Sequence, residues 1–358
     1  MASVRSVSTT RRQRTNSSND NIEEQIKRDG LAAKREVKAL LLGTGRSNTA
    51  RFLKSMQLVH GGGYDDAERK GFRKDILSTT VKALQNILNP ETHEHLDLQP
   101  SNEARRTTIL ALPDKLDNDI LSPETVDAMQ NLCQDPAIQA SLDDPQSTNL
   151  IGASSIHYLK SIDRITKEDY LPTDDDILNC QIKPSGIAEV SFKVDDLTYR
   201  IVHMGRQDGA WRKWLHCFEG VRAIVFLVGL DEYDQWTVTD GDGEQSVNCI
   251  HEALDVFDLI CNSKWFEKTS IILFLDDKNL TKKLSEHPLE NFFPDYTGGK
   301  NTDAAREYML KRFVSLDKQD SATRQIHANF TNSNDTKRVE HMLTTMQEIL
   351  LNLHTGQK

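Results

Sequence analysis

The chain has 358 residues, 37% of them hydrophobic, and a formal net charge of −10. That is enough apolar material for roughly two folded domains. No apolar run reaches the ~20 residues that a membrane span needs, and the acidic balance argues against general nucleic-acid binding. Five cysteines without C-x-x-C spacing indicate neither a disulfide framework nor a zinc site, so packed thiols in a reducing cytoplasm are expected.

Residues 1–20 are rich in Ser, Thr, Arg and Asn, with no hydrophobic centre of the kind a secretory signal carries, and read as a disordered, locally basic N-terminus. Asn21–Arg35 has helix-compatible periodicity with alternating charge, a solvated helix over 21–36 that offers a surface to a partner. Val37–Leu42 is an apolar strand that runs into Gly43-Thr-Gly-Arg-Ser-Asn-Thr-Ala-Arg51 and a helix. The shape is that of a phosphate-binding P-loop, G-x-x-x-x-G-K-[ST], whose backbone N–H groups cradle phosphates while its Lys and hydroxyl hold charge and metal. Gly43 and Gly45 remain, but Asn48, Thr49 and Ala50 fill the last three places. Taken alone, the segment reads equally well as an ordinary strand–turn–helix.

From Tyr64 to Asp176 the pattern is helical, most clearly at Lys70–Leu88, Pro123–Leu132 and Ser154–Ile165. From Gly186 onward strands and helices alternate. Ala188–Val194 and Tyr199–Met204 read as strands, Ala223–Leu230 and Ser270–Leu275 as buried parallel strands, and Ser246–Cys261, Thr302–Leu316 and Asp335–Leu353 as helices. The simplest organisation is a β/α domain, 37–63 with 181–358, interrupted by an all-helical insertion over 64–180.

Ordered segments along the chain carry a specific resemblance. They are Val37–Gly45, Val59-His-Gly-Gly-Gly-Tyr64, Asp163-Arg-Ile with Asp169-Tyr-Leu-Pro-Thr173, Arg212-Lys-Trp-Leu-His-Cys-Phe-Glu-Gly-Val221, Phe257-Asp-Leu-Ile-Cys-Asn262, Thr269-Ser-Ile-Ile-Leu-Phe-Leu275 and Phe293-Pro-Asp-Tyr-Thr-Gly298. Together they resemble the heterotrimeric G protein alpha subunits from the N-terminal to the C-terminal helix. The resemblance implies an α/β fold: a P-loop NTPase (Ras-like) domain with an inserted all-helical domain.

Against that family the nucleotide elements depart one by one. In the first switch Gln181 and Pro184 stand where the family has a transition-state Arg and a Mg²⁺-binding Thr, and arginine fingers contribute about 10³–10⁵ in rate. In the second switch, His203-Met-Gly-Arg-Gln207 replaces Asp-x-Gly-Gly-Gln; Gly205 and Gln207 survive, and Arg206 takes a Gly position. The base-recognition Asn-Lys-x-Asp becomes Asp276-Asp277-Lys278-Asn279, and Thr331-Asn-Ser-Asn-Asp-Thr336 replaces the later Thr-Cys-Ala-Thr-type loop. The expectation is a degenerate site at Gly43, Gly45, Arg46, Ser47, Asn48, Thr49, Ala50, Arg51, Gly205, Arg206, Asp276, Asp277, Lys278 and Asn279. It has no catalytic residue, no cofactor, and no metal at Ala50 or Pro184. Arg46, Arg51 and Arg206 would fill the vacated phosphate pocket by pairing with carboxylates or, alternatively, hold an unconventional anion there. The alternative is a slow conventional GTPase that binds GTP, GDP and Mg²⁺ and couples to a receptor.

Partner surfaces are better kept. The resemblance implies a Gβγ dimer on Asn21–Arg35, Ile187, Lys213, Trp214, Cys217 and Phe218, with Trp214 as the aromatic anchor or, alternatively, as core. Met1-Ala2-Ser3 offers neither a myristoylation Gly nor an adjacent Cys, and the C-terminus lacks the family's Cys-Gly-apolar ending, which weakens receptor coupling. The expected protein is therefore cytoplasmic or held at the membrane surface through Gβγ, and acts by nucleotide-independent binding of Gβγ or effectors.

Overall fold

The computed structural model describes residues 35–43, 49–89, 96–113, 115–143, 151–180, 187–204, 218, 220–239, 245–319, 324–333 and 336–356. The chain divides into two compact units, Met1–Ser47 with Gly186–Lys358, and Asn48–Ser185.

The strands of the first unit are β1 (Glu36–Gly43), β2 (Ile187–Val194), β3 (Leu197–Met204), β4 (Val221–Gly229), β5 (Trp236–Thr239), β6 (Gln245–Asn248), β7 (Ser270–Asp276) and β8 (Ile326–Thr331). Six of them form one sheet in the order β2-β3-β1-β4-β7-β8. β1, β4 and β7 are near-continuous apolar runs because both of their faces are covered; Leu40, Leu41, Phe226 and Phe274 are buried. β2 alternates in burial, as an edge strand with one wet face does, and pairs antiparallel with β3 across a hairpin in which Asp195 takes a left-handed φ of 53°. β3, β1, β4, β7 and β8 run parallel, so all five end at the same edge of the sheet. β5 and β6 make a separate antiparallel ribbon.

The second unit holds α1 (Thr49–Val59), α2 (Asp66–Leu88), α3 (Glu103–Leu110), α4 (Pro123–Cys133), α5 (Pro136–Asp143), α6 (Ala153–Lys160), α7 (Ile162–Ile165) and α8 (Asp174–Asn179). Its core gathers Ile76, Leu84, Ile87, Met129, Leu132, Ile138 and Tyr158. α2 starts at a reciprocal cap in which Asp65 accepts from the Glu68 N–H and Glu68 accepts from the Asp65 N–H. The helix expected over Ser154–Ile165 is broken at Ser161, whose φ of −108° and ψ of 17° are not helical. From α7, Arg164 then donates two bonds to Asp176, at 2.6 and 2.8 Å.

In the first unit α9 (Cys249–Cys261), α10 (Leu280–Glu286), α11 (Thr302–Val314) and α12 (Thr336–Thr355) complete the described helices. The helix expected from Ser246 begins at Cys249. Asn248 is the reason: its side-chain oxygen accepts from the Ile250 and His251 N–H groups, while residues 245–248 pair with β5 as strand. Cys133, Cys180, Cys249 and Cys261 are buried cysteines, and burial pushes Cys133 up to about 12 and Cys261 to about 11.

Candidate functional site

In open parallel sheets ligands bind outside the carboxyl ends of the strands, and at that edge the first unit brings its candidate residues together. β7 ends in Asp276 and β8 in Thr331. The Thr331 carbonyl accepts the Asp277 N–H at 2.9 Å. Asp276 Oδ1 accepts the Ser333 N–H at 2.9 Å and the Lys278 N–H at 3.2 Å, which ties the loop after β7 to the loop after β8. Lys278 is half-buried and Asn279 exposed, with Asn279 in the left-handed conformation at φ 57° as α10 begins. Asn adopts that region more readily than most side chains.

Asp277 points elsewhere. Its buried carboxylate pairs with Arg306 of α11, accepts from Asn332 Nδ2 at 3.4 Å and lies 4.0 Å from Arg338 of α12. Of the four residues expected at the base, Lys278 and Asn279 are the ones left facing outward. Asp231 was not singled out by its sequence. It lies two residues beyond β4, is buried with no partner for Oδ1, and is pushed up to about 6 by burial, with Lys278, Asp276 and Lys283 as its charged neighbours. A carboxylate just beyond the end of a buried parallel strand is the signal that could have found it.

His203, near the end of β3, is buried, with Nδ1 3.3 Å from the Leu41 carbonyl. Burial lowers its pKa below the ordinary imidazole value, so it is neutral at pH 7. Gly43 closes β1 at the same edge.

In the second unit Thr49, Ala50 and Arg51 form the first turn of α1. Arg51 donates to the Leu178 carbonyl at 3.3 Å and to Asn179 Oδ1 at 3.5 Å, so its guanidinium holds oxygens at the C-terminus of α8. Lys54 Nζ donates to the Ile177 carbonyl at 3.0 Å and to the Cys180 carbonyl. Burial lowers the Lys54 pKa. Two cations at the carbonyl end of α8 complement its dipole.

Gly45, Arg46, Ser47, Asn48, Gln181, Pro184, Gly205, Arg206, Gln207, Lys213, Trp214 and Cys217, with residues 21–34, lie outside the described residues, while the Arg35 carbonyl accepts the Thr198 N–H at 2.9 Å. Ile187 opens β2 and is 40% exposed; Phe218 is half-buried against Phe266, with ring centroids 5.0 Å apart. No described group of three or more His, Cys, Asp or Glu could hold a metal, and no described helix is long and apolar enough to cross a membrane. On the base side Lys278 and Asn279 supply a cation and an amide at the surface. Ala50 and neutral His203 supply no anionic oxygen for Mg²⁺.

A profile of the G-protein alpha subunit family matches residues 16–350. The chain belongs to that family. It is 46% identical over 336 residues to a guanine nucleotide-binding protein subunit alpha of Coprinellus congregatus, covering 94% of each chain. It is 41% identical to the G-protein complex alpha subunit gpaA of Aspergillus fumigatus and to a guanine nucleotide-binding protein alpha-1 subunit of Neurospora crassa, covering 93% of each chain in both cases. Membership carries the fold, a Ras-like domain with a helical domain.

The relatives overturn two expectations drawn from the substitutions, that this alpha subunit dispenses with nucleotide and that it has no cofactor. All three are named as alpha subunits, two of them as guanine nucleotide-binding, over nearly their whole length. The physical reason lies in where phosphate recognition resides. Much of it comes from backbone N–H groups of the loop, which a side-chain substitution does not remove.

Proposed function

We propose that the protein is a guanine nucleotide-binding alpha subunit that works as a GTP-dependent switch in signal transduction, with Gβγ and effectors or receptors as its partners. The observation that carries this is the likeness to guanine nucleotide-binding subunits over 93–94% of both chains. Its physical support is the pair of loops after β7 and β8, bonded through Asp276 and Ser333 at the carboxyl edge of the sheet.

In this reading Lys278 and Asn279 would meet the base. Mg²⁺, when bound, would neutralise phosphate charge; Ala50 and His203 offer it no anionic oxygen. Hydrolysis is slow, since Gln181 occupies the position of the family's transition-state Arg. With no membrane-crossing helix among the described residues, the subunit works in the cytoplasm or at the membrane surface.

Calorimetric titration of the full chain with GDP and with a non-hydrolysable GTP analogue, each with and without Mg²⁺, tests the proposal. Saturable one-to-one binding of both is expected. Absence of heat and of any rise in melting temperature at millimolar nucleotide would overturn it.

A further inference from the structure

Between the edge strand β8 and helix α12 lies a cavity of about 240 Å³ on the face of the sheet that packs against α12. Its floor is apolar: Phe274 of β7 and Met342 of α12 line it and are both buried. A ring and a thioether together favour an aromatic body, because rings pair edge-to-face or offset and sulfur makes favourable contacts at a ring edge.

Over this floor stands an amide in an unusual place. Asn329 is the β8 residue registered against Phe274, so its side chain leaves the sheet on the same side, towards α12. A sheet face covered by a helix is normally apolar, and a polar group there gives up water without return unless something bonds it. Asn329 is half-buried, and its side-chain amide has no hydrogen bond among the described residues. Thr345, three residues after Met342 on the same stripe of α12, brings a hydroxyl that is likewise unbonded there. His341 and Arg338 line the cavity as well, but Arg338 is already engaged within the fold, so recognition falls to Asn329 and Thr345.

The chemistry of an amide is selective. Its planar end carries an acceptor oxygen beside two N–H donors. The complement is a second planar edge with a donor next to an acceptor, as in a primary carboxamide or a lactam, which meets it through two antiparallel hydrogen bonds. The volume, below the ~300–1,000 Å³ of drug-sized pockets, limits the rest of such a ligand to about one ring.

We infer that this cavity is a binding site for a small neutral aromatic carboxamide or lactam, its polar edge paired with Asn329 and its ring against Phe274 and Met342. Thr345 meets the amide group that Asn329 leaves over. The site is separate from the loops proposed to hold nucleotide and does not depend on that proposal.

The test uses the full chain and four probes, followed by NMR at the Met342 methyl. Benzamide has both parts, toluene the ring without the amide, acetamide the amide without the ring, and benzoate a charge in place of the donor and acceptor. Benzamide should bind saturably, at least tenfold more tightly than any of the others. Asn329→Leu, similar in size but without the amide, should weaken benzamide at least tenfold and leave toluene unchanged. Thr345→Trp, which fills the cavity, should abolish binding of benzamide. No saturable response to benzamide, equal or tighter binding of toluene, acetamide or benzoate, or full affinity in Asn329→Leu would each overturn the inference. Should Thr345→Trp fail to fold, the probe comparison and Asn329→Leu, which sets an apolar side chain beside apolar Phe274, decide the matter.

Discussion

Asp231 is a carboxylate that the fold holds at a cost. Burial raises it from an ordinary 3.8 to about 6, and its Oδ1 has no hydrogen-bond partner. A raised folded pKa means that the native state binds the proton more readily than the unfolded chain does. The stability linked to this group is therefore fully present below about pH 4 and lost as pH rises through about 6. At pH 7.5 the penalty is on the order of 3 kcal/mol. Asp231→Asn should raise stability at pH 7.5 by a good part of that amount and by only about a third as much at pH 4.5. Urea unfolding at the two pH values checks this, and an equal effect at both would refute the assignment of the cost to ionisation. The same residue marks a limit of sequence reading: nothing in Leu230-Asp-Glu-Tyr233 says that the carboxylate is enclosed until β4 and its neighbours are in place.

At the scale of elements, the break between α6 and α7 has a purpose visible in its partners. It turns Arg164 onto Asp176, the third residue of α8, which also accepts from Tyr170 Oη, from the Thr173 N–H and lies 2.9 Å from His157 Nε2. Burial would raise the Asp176 carboxyl, but the Arg164 fork and the other donors outweigh it and hold the group well below the usual carboxylate range. Arg164→Met should destabilise the protein by about 3 kcal/mol, the low end for breaking a buried pair, because Arg164 is itself 40% exposed. The double variant with Asp176→Asn should lose less than the two single changes added together. Chemical unfolding of the four proteins gives the coupling, and strict additivity would exclude a direct pair.

The elements themselves were unequally legible. β1, β4 and β7 are readable because strands covered on both faces become unbroken apolar runs. Ser161 is not, since neither Pro nor Gly marks the break and the periodicity continues across it. The four residues at Asp276–Asn279 can be located by spacing, yet the turning of Asp277 towards Arg306 and Arg338 depends on residues tens of positions away. Pairing at that distance leaves no local trace.

For the whole molecule, a switch moves only when a ligand binds its two states with different affinity. The proposed function therefore requires GTP to change the affinity for a partner. Purified Gβγ should be retained by the GDP-loaded chain and released at least tenfold more readily once a non-hydrolysable GTP analogue is added. Retention that ignores the nucleotide, measured by surface-immobilised capture, would remove the switch while leaving the fold untouched.

β1 lies in the middle of the sheet, and both of its neighbours are encoded far downstream: Glu36 registers with Thr198, and Gly43 with Leu227. During synthesis the first apolar strand leaves the ribosome with nothing to pair with. At roughly 5–20 residues per second, the ~160 residues before β3 take about 10–30 s to follow. The Asn48–Ser185 unit, whose contacts are internal, emerges complete within that interval and can fold first. A nascent chain arrested near residue 185 should accordingly show a protease-resistant helical unit behind a Val37–Leu42 segment held by a chaperone. Arrest beyond Gly229 should release that segment into the sheet. The long helical insertion thus sets a waiting time in the birth of the protein, and β1 is the part that waits.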